Sequence, residues 1–186
     1  GPTVTLDGVP VAVQSFTHST ISLIVPEGVG GELPVVVTVG GQASQRGNFS
    51  YLRPVVTHAE PGSDFQFQTQ GGRISGEVVR LNGSNFGPAD NEDWSITFTS
   101  PTGNVIALNR TLVRLWDHEF LSFLVPEGQG RQLTMTLIVG GQEARVQIDG
   151  STRYQISYAP PQISNVTVEG ARPTDGGFEV TISGTS

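Results

Sequence analysis

Apolar and polar residues alternate along this chain in short runs punctuated by Gly, Pro and Asn. Val4 and Leu6 alternate with Thr3 and Thr5 ahead of Asp7-Gly8, and residues 9–13 return. Alternation of period two followed by Asp-Gly predicts a β-hairpin. Further strands are predicted over 19–25, 33–39, 55–59, 74–81, 94–99, 104–108, 111–116, 120–125 and 153–158, with 61–72 a polar loop. No stretch carries the 3.6-residue period of an amphipathic helix, and Thr, Val, Ile and Phe dominate the periodic runs, as strands prefer.

One stretch occurs twice. Residues 21–42 read ISLIVPEGVGGELPVVVTVGGQ and residues 121–142 read LSFLVPEGQGRQLTMTLIVGGQ, at a constant spacing of 100 positions. Internal repetition fixes architecture ahead of any local assignment. It divides the chain into 1–52, 53–159 and 160–186, joined at Arg53-Pro54 and Ala159-Pro160-Pro161. Proline fixes its own φ and restricts the residue before it, so both junctions are expected to be stiff. Residues 160–186 open like the central unit, since FEVTISGTS aligns with VVRLNGSNFGP and sets Gly184 against Gly83 and Ser186 against Asn85. Residues 1–52 read as the second part of such a unit and 160–186 as its first strands. A sandwich lacking two strands exposes an edge and half a core. The expectation is therefore a tandem array, or copies in which the last strands of one complete the first unit of the next. Either is a head-to-tail contact, and one that does not close on itself makes a filament.

The unit, with LNGSNFGP (81–88), VPEGQG (125–130) and the boundary SYAPPQI (157–163), resembles the IPT/TIG family of immunoglobulin-like domains. The resemblance implies an all-β fold of tandem immunoglobulin-like antiparallel β-sandwiches: the C-terminal part of one domain in 1–52, a complete one in 53–159, and the N-terminal strands of another in 160–186, completed by the next repeat or subunit. Such domains are commonly strung in tandem in extracellular proteins. They also serve as dimerisation domains of DNA-binding factors and as accessory domains of bacterial sugar-processing enzymes.

Charge and composition narrow the functional classes. A net charge of −7 speaks against nucleic acid and against an anionic membrane surface. There is no cysteine, so neither a disulfide nor a thiolate metal site can form. No apolar run is long enough to span a bilayer, and membrane insertion of this segment is not expected. GxSxG, HExxH, P-loop and GxGxxG patterns are absent, no pair of carboxylates is nominated, and an enzyme is not expected. No cofactor is expected.

The clearest chemical signal is four N-glycosylation sequons, at Asn48, Asn82, Asn109 and Asn165, which require a solvated surface in a secreted protein. The Asn82-Gly83 pair also suits a tight turn. The acidic loop Asp90, Asn91, Glu92, Asp93 offers oxygens of the kind Ca²⁺ takes but lacks EF-hand spacing, and reads as a solvated turn. Asp64 and Asp175 are isolated loop acids. His18 and His118 hold equivalent positions in the repeat, which favours a shared structural role. Trp94, Trp116, Phe65, Phe67 and Phe120 are the residues from which a sugar-stacking platform would be built, with core filling the alternative. Arg53, Pro54, Pro160 and Pro161 mark the junctions, where Phe65 and Phe67 are expected to plug the contact with the preceding unit. The expected function is structural: a repeat segment of an extracellular or cell-surface, glycosylated fibre or stalk whose partner is itself. The alternative is a cell-surface adhesion, receptor or carbohydrate-binding module.

Overall fold

Glycine-rich turns and alternating strands fold residues 53–159 into two sheets with one core between them. A computed structural model describes residues 1–170, 174 and 176–185. Among them the fold is all-β apart from one turn of helix at Gly72–Ser75 and a 3-10 turn at Arg110–Leu112. One central sheet runs in the order Val113–Trp116, Phe120–Leu124, Val78–Ser84, Val55–Glu60, Arg145–Val146. The other runs Val105–Ala107, Trp94–Thr99, Leu133–Val139, Gln155–Tyr158, Gln66–Phe67, with Gln142–Glu143 also on Leu133–Val139. Strand Leu133–Val139 shows the pleat plainly: Leu133, Met135, Leu137 and Val139 are buried while the residues between them are half-exposed. Phe98 and Phe123 meet across the sheets with ring centroids 6.0 Å apart. Each large apolar side chain so buried contributes about 1.5–3 kcal/mol.

Residues 1–52 repeat the second part of this arrangement. Strands Val9–Val11, Thr3–Leu6, Leu33–Val39 and Gln42–Ala43 form a sheet, Gly47–Phe49 pairs with Leu33–Val39, and Val13–Phe16 with Ile21–Leu23 forms a separate hairpin. The register is shared. Val4 faces Val37 as Ile96 faces Leu137, and Val13–Phe16 carries the same irregularity against Ile21–Leu23 as Val113–Trp116 does against Phe120–Leu124. The Pro-Glu-Gly loop is pinned identically in both. The Tyr51 hydroxyl donates to the Pro26 carbonyl at 2.8 Å and the Tyr158 hydroxyl to the Pro126 carbonyl at 2.9 Å. Only glycine fits under these rings, since a Cβ at Gly28 or Gly128 would lie 2.8 Å or 2.7 Å from the phenol oxygen.

The structure departs locally from the predicted elements. The strand expected over 74–81 begins at Val78, because Gly71 and Gly76, both at positive φ, bracket a helical turn whose Gly72 N–H bonds the Val125 carbonyl. The loop 61–72 contains the short strand Gln66–Phe67, which pairs in parallel with Ser157 and Tyr158. Thr111 sits in the 3-10 turn, not in a strand, because the Asn109 side chain accepts from its N–H at 2.9 Å. Strand Arg145–Val146, parallel to Val55–Glu60, has no counterpart among the predicted strands.

Candidate functional site

The surfaces that stand out are apolar ones with no cover. In residues 1–52 only Val4 is a buried hydrophobic among the described residues, whereas the central unit buries a continuous cluster. Phe16 is 58% exposed where its counterpart Trp116 is 8% exposed, Ile24 64% against 6% for Leu124, and Val39 55% against 1% for Val139. These positions are core positions by pattern and bare in the structure.

The hairpin Gln162–Val168 with Val180–Thr185 is the complementary piece. It reproduces the pairing of Val55–Glu60 with Val78–Ser84 residue for residue. Gly184 faces Ile163 as Gly83 faces Val56, Ser183 faces Asn165 as Asn82 faces His58, and Ser164 is skipped at the bulge as Thr57 is. Even the bulge hydrogen bond recurs: Thr57 Oγ1 donates to the Asn82 carbonyl at 3.2 Å, and Ser164 Oγ to the Ser183 carbonyl at 3.1 Å. A Cβ at Gly83 would overlap the Val55 carbonyl oxygen, and one at Gly184 the Gln162 carbonyl oxygen. The apolar face corresponds as well. Ile163, Val166, Val180 and Ile182 are exposed, and their counterparts Val56, Ala59, Val79 and Leu81 lie in the central core. In the central unit, Val79 and Leu81 pair with Phe123 and Leu121. The corresponding residues of the first unit, Leu23 and Ile21, have no partner strand on that side among the described residues.

A second feature is the contact between the first two units. The loop 26–31 lies against the turns of the central sandwich. Glu27 Oε2 is 3.1 Å from His118 Nε2, and Gln142 Nε2 donates to the Tyr51 carbonyl at 3.3 Å. The Val29 side chain sits over Gly87, where a Cβ would overlap it, and Gly140 meets the backbone of Gly30 as closely. The Asn91 amide nitrogen near Gly87 is buried there without a hydrogen-bond partner. Both members of the Glu27–His118 pair are about half or more exposed, so the pair orients the contact and adds little energy.

The remaining candidate residues fall as follows. Asn48, Asn82, Asn109 and Asn165 are all exposed. Asn82 is on a strand and not in a turn, and Asn165 sits beside the bulge of the C-terminal hairpin. Asn109 doubles as a cap, its Oδ1 accepting from the N–H and hydroxyl of Thr111. Trp94 and Trp116 stack on each other at 5.1 Å with Arg110 over the Trp94 ring, and the Trp116 indole donates to the Phe86 carbonyl. Their faces are thus occupied by protein. Phe65 and Phe67 meet edge to face at 4.8 Å; Phe67 is buried in the central core, and its carbonyl accepts from Ala159 N–H. Phe67 therefore lies on the side of the following unit, not at the contact with the preceding one, because its strand pairs with Gln155–Tyr158. Arg53 is exposed and its carbonyl accepts from Asn85; Pro54 is buried, and Pro160 and Pro161 are exposed. The acidic loop closes on itself: Asn91 Oδ1 accepts from Asp93 N–H, and the Glu92 carbonyl accepts from Arg110. No group of three or more His, Asp or Glu among the described residues is placed to hold a metal ion. Asp64 is exposed, and Asp175 and Ser186 lie outside the described residues. Burial pushes the Tyr154 and Tyr158 phenols far up, Tyr158 also through the nearby Glu77 carboxylate, and raises Tyr51 less.

The all-β fold of antiparallel sheets agrees with the resemblance read from the sequence. Residues 1–51 match the IPT/TIG domain family. The IPT/TIG match falls on the unit whose core positions are largely exposed, and the central unit repeats its strands, its turns and its tyrosine hydrogen bond. A crystal structure of a protein of unknown function from Bacteroides thetaiotaomicron VPI-5482 is similar at 20% identity and a TM-score of 0.41, over 63% of this chain and 24% of that one. The chain thus spans about a quarter of that protein's length. No curated protein matches.

Proposed function

We propose that this chain is a structural repeat segment of an extracellular, glycosylated fibre or stalk assembled head to tail from IPT/TIG-like sandwiches. The reading rests on one observation: strands Gln162–Val168 and Val180–Thr185 have the register, the bulge and the apolar face of Val55–Glu60 and Val78–Ser84, the pair that lies beside Phe120–Leu124 in the central sheet. Its mechanism is mechanical and non-enzymatic. Each completed sandwich buries its own core, and proline junctions hold neighbours at a set angle. Four exposed sequons and an acidic surface would keep fibres apart by bulk and charge.

Sedimentation velocity over a concentration series tests this. The chain is expected to form linear assemblies that grow with concentration, and the variant Ile163→Asp/Ile182→Asp to stay monomeric with its central sandwich intact. Chains that remain monomeric at every concentration would sink the fibre reading and favour an adhesion or carbohydrate-binding module.

A further inference from the structure

The contact between the first two units is built from residues whose repeat counterparts lie outside it, three at the other end of the central sandwich and three on the first unit. Glu27, Gly30 and Tyr51 on one side meet His118, Gly140 and Gln142 on the other. Their repeat counterparts are Glu127, Gly130 and Tyr158 on the central unit, and His18, Gly40 and Gln42 on the first unit. All six residue types are retained. The two loops lie at opposite ends of the sandwich, since Gly130 precedes and Gly140 follows the strand Leu133–Val139, about 20 Å long at the rise of a β-strand.

Exposure separates the glycines and the glutamine of the used surface from their copies. Gly30 is buried and Gly130 exposed; Gly140 and Gln142 are half-buried and Gly40 and Gln42 exposed. At the uncovered end Glu127, Gly130 and Tyr158 border an open depression of about 1340 Å³, with Pro160 and Pro161 on its rim. From that rim the strand Gln162–Val168 departs, as Val55–Glu60 departs from Leu52-Arg53-Pro54 at the contact already formed.

We infer that this depression is the docking surface for a second copy of the same chain, which presents His18, Gly40 and Gln42 to it. The inference rests on the head-to-tail reading above and gives it a second, separate surface. A partner whose Ile21–Leu23 strand pairs with Val180–Thr185 in the register of the central unit carries its 17–20 turn and its Gly40-Gly41 turn to the loop 126–131. The contacts then follow by repetition: Glu127 with the partner's His18, and Gly130 with the partner's Gly40. Two positions differ. Gln129 replaces Val29 and Arg131 replaces Gly31, so this contact is more polar than the one within the chain. A Cβ at Gly31 would lie 2.7 Å from Gln142 Nε2, so beside Arg131 the partner's Gln42 turns its amide end away and the Gln142–Tyr51 hydrogen bond is not carried over.

The absence of cysteine makes the test clean. A Cβ built at Gly31 lies 3.4 Å from Gln142 Cγ, the atom whose place the sulfur of a cysteine at 142 would take, so two cysteines here approach closely enough to bridge after a small shift. The variant Gln42→Cys/Arg131→Cys, oxidised mildly, is expected to give a ladder of dimers, trimers and higher species on a non-reducing gel, reversed by reductant. Each single variant sets no cysteine opposite another and should give no ladder, and Gly31→Cys/Gln142→Cys should close within one chain. Assemblies in sedimentation without a ladder would overturn this docking surface and leave the head-to-tail reading standing. Absence of both would overturn the two together.

Discussion

Leu81 and Ile182 occupy the same place in the repeating unit, one completed and one not, and truncating each to alanine separates folding from assembly. Leu81 is fully buried between Ala59 and Leu121, and Leu81→Ala should cost about 2–5 kcal/mol of folding stability through lost transfer energy and the cavity left behind. Ile182 is 62% exposed, so Ile182→Ala should leave the folded chain almost unchanged. On docking, Ile182 would take the Leu81 environment, opposite Ile21 of another copy. Losing most of the burial of an Ile is worth about 2 kcal/mol, or roughly a 30-fold weakening of association. The two tryptophans, Trp94 and Trp116, both belong to the central sandwich, so urea unfolding followed by tryptophan fluorescence reports that sandwich alone. Leu81→Ala should move this transition and Ile182→Ala should not. Sedimentation velocity should show the reverse ranking, with the assembly midpoint of Ile182→Ala shifted by the stated factor. If Ile182→Ala moves the fluorescence transition as far as Leu81→Ala, or leaves assembly untouched, the equivalence of the two hairpins fails.

Two further outcomes follow from packing and protonation. Gly83→Ala drives a Cβ into the Val55 carbonyl and should destabilise the central sandwich by about 3 kcal/mol or more, whereas Gly184→Ala, at the same bulge of the C-terminal hairpin, should leave the fluorescence transition in place and impair assembly. The raised phenols of Tyr154 and Tyr158 stay protonated in the fold while the unfolded chain releases those protons near pH 10. The folded state then binds more protons than the unfolded one, so stability should be flat below about pH 10 and fall above it. Two of the three tyrosines should show phenolate absorbance only together with unfolding; early ionisation of both would contradict their burial.

Much of this architecture is legible in the residues, and the losses have physical reasons. The Gly-Gly and Pro-Glu-Gly turns stand out because few other residues satisfy them, and the repeat at 100 positions carries the strand predicted over 33–39 onto 133–139. Gln66–Phe67 and Arg145–Val146 are two residues long, too short for any period, and both pair in parallel with strands distant in sequence. The helical turn Gly72–Ser75 was masked by the apolar run that follows it. The equivalence of His18 and His118 was visible, but its use was not: His118 meets Glu27, a loop acid far away in the sequence, and only the docked geometry joins them. Asn109 shows a different limit, since one Asn-x-Thr triplet is at once a sequon and the cap of a 3-10 turn.

Negative-stain electron microscopy of the purified 186-residue chain, set beside its intact mass under denaturing conditions, tests the central claim most directly. Unbranched filaments that dissolve into single chains of 19.7 kDa before any glycan is counted are the predicted result. Compact particles of one size at high concentration would contradict it.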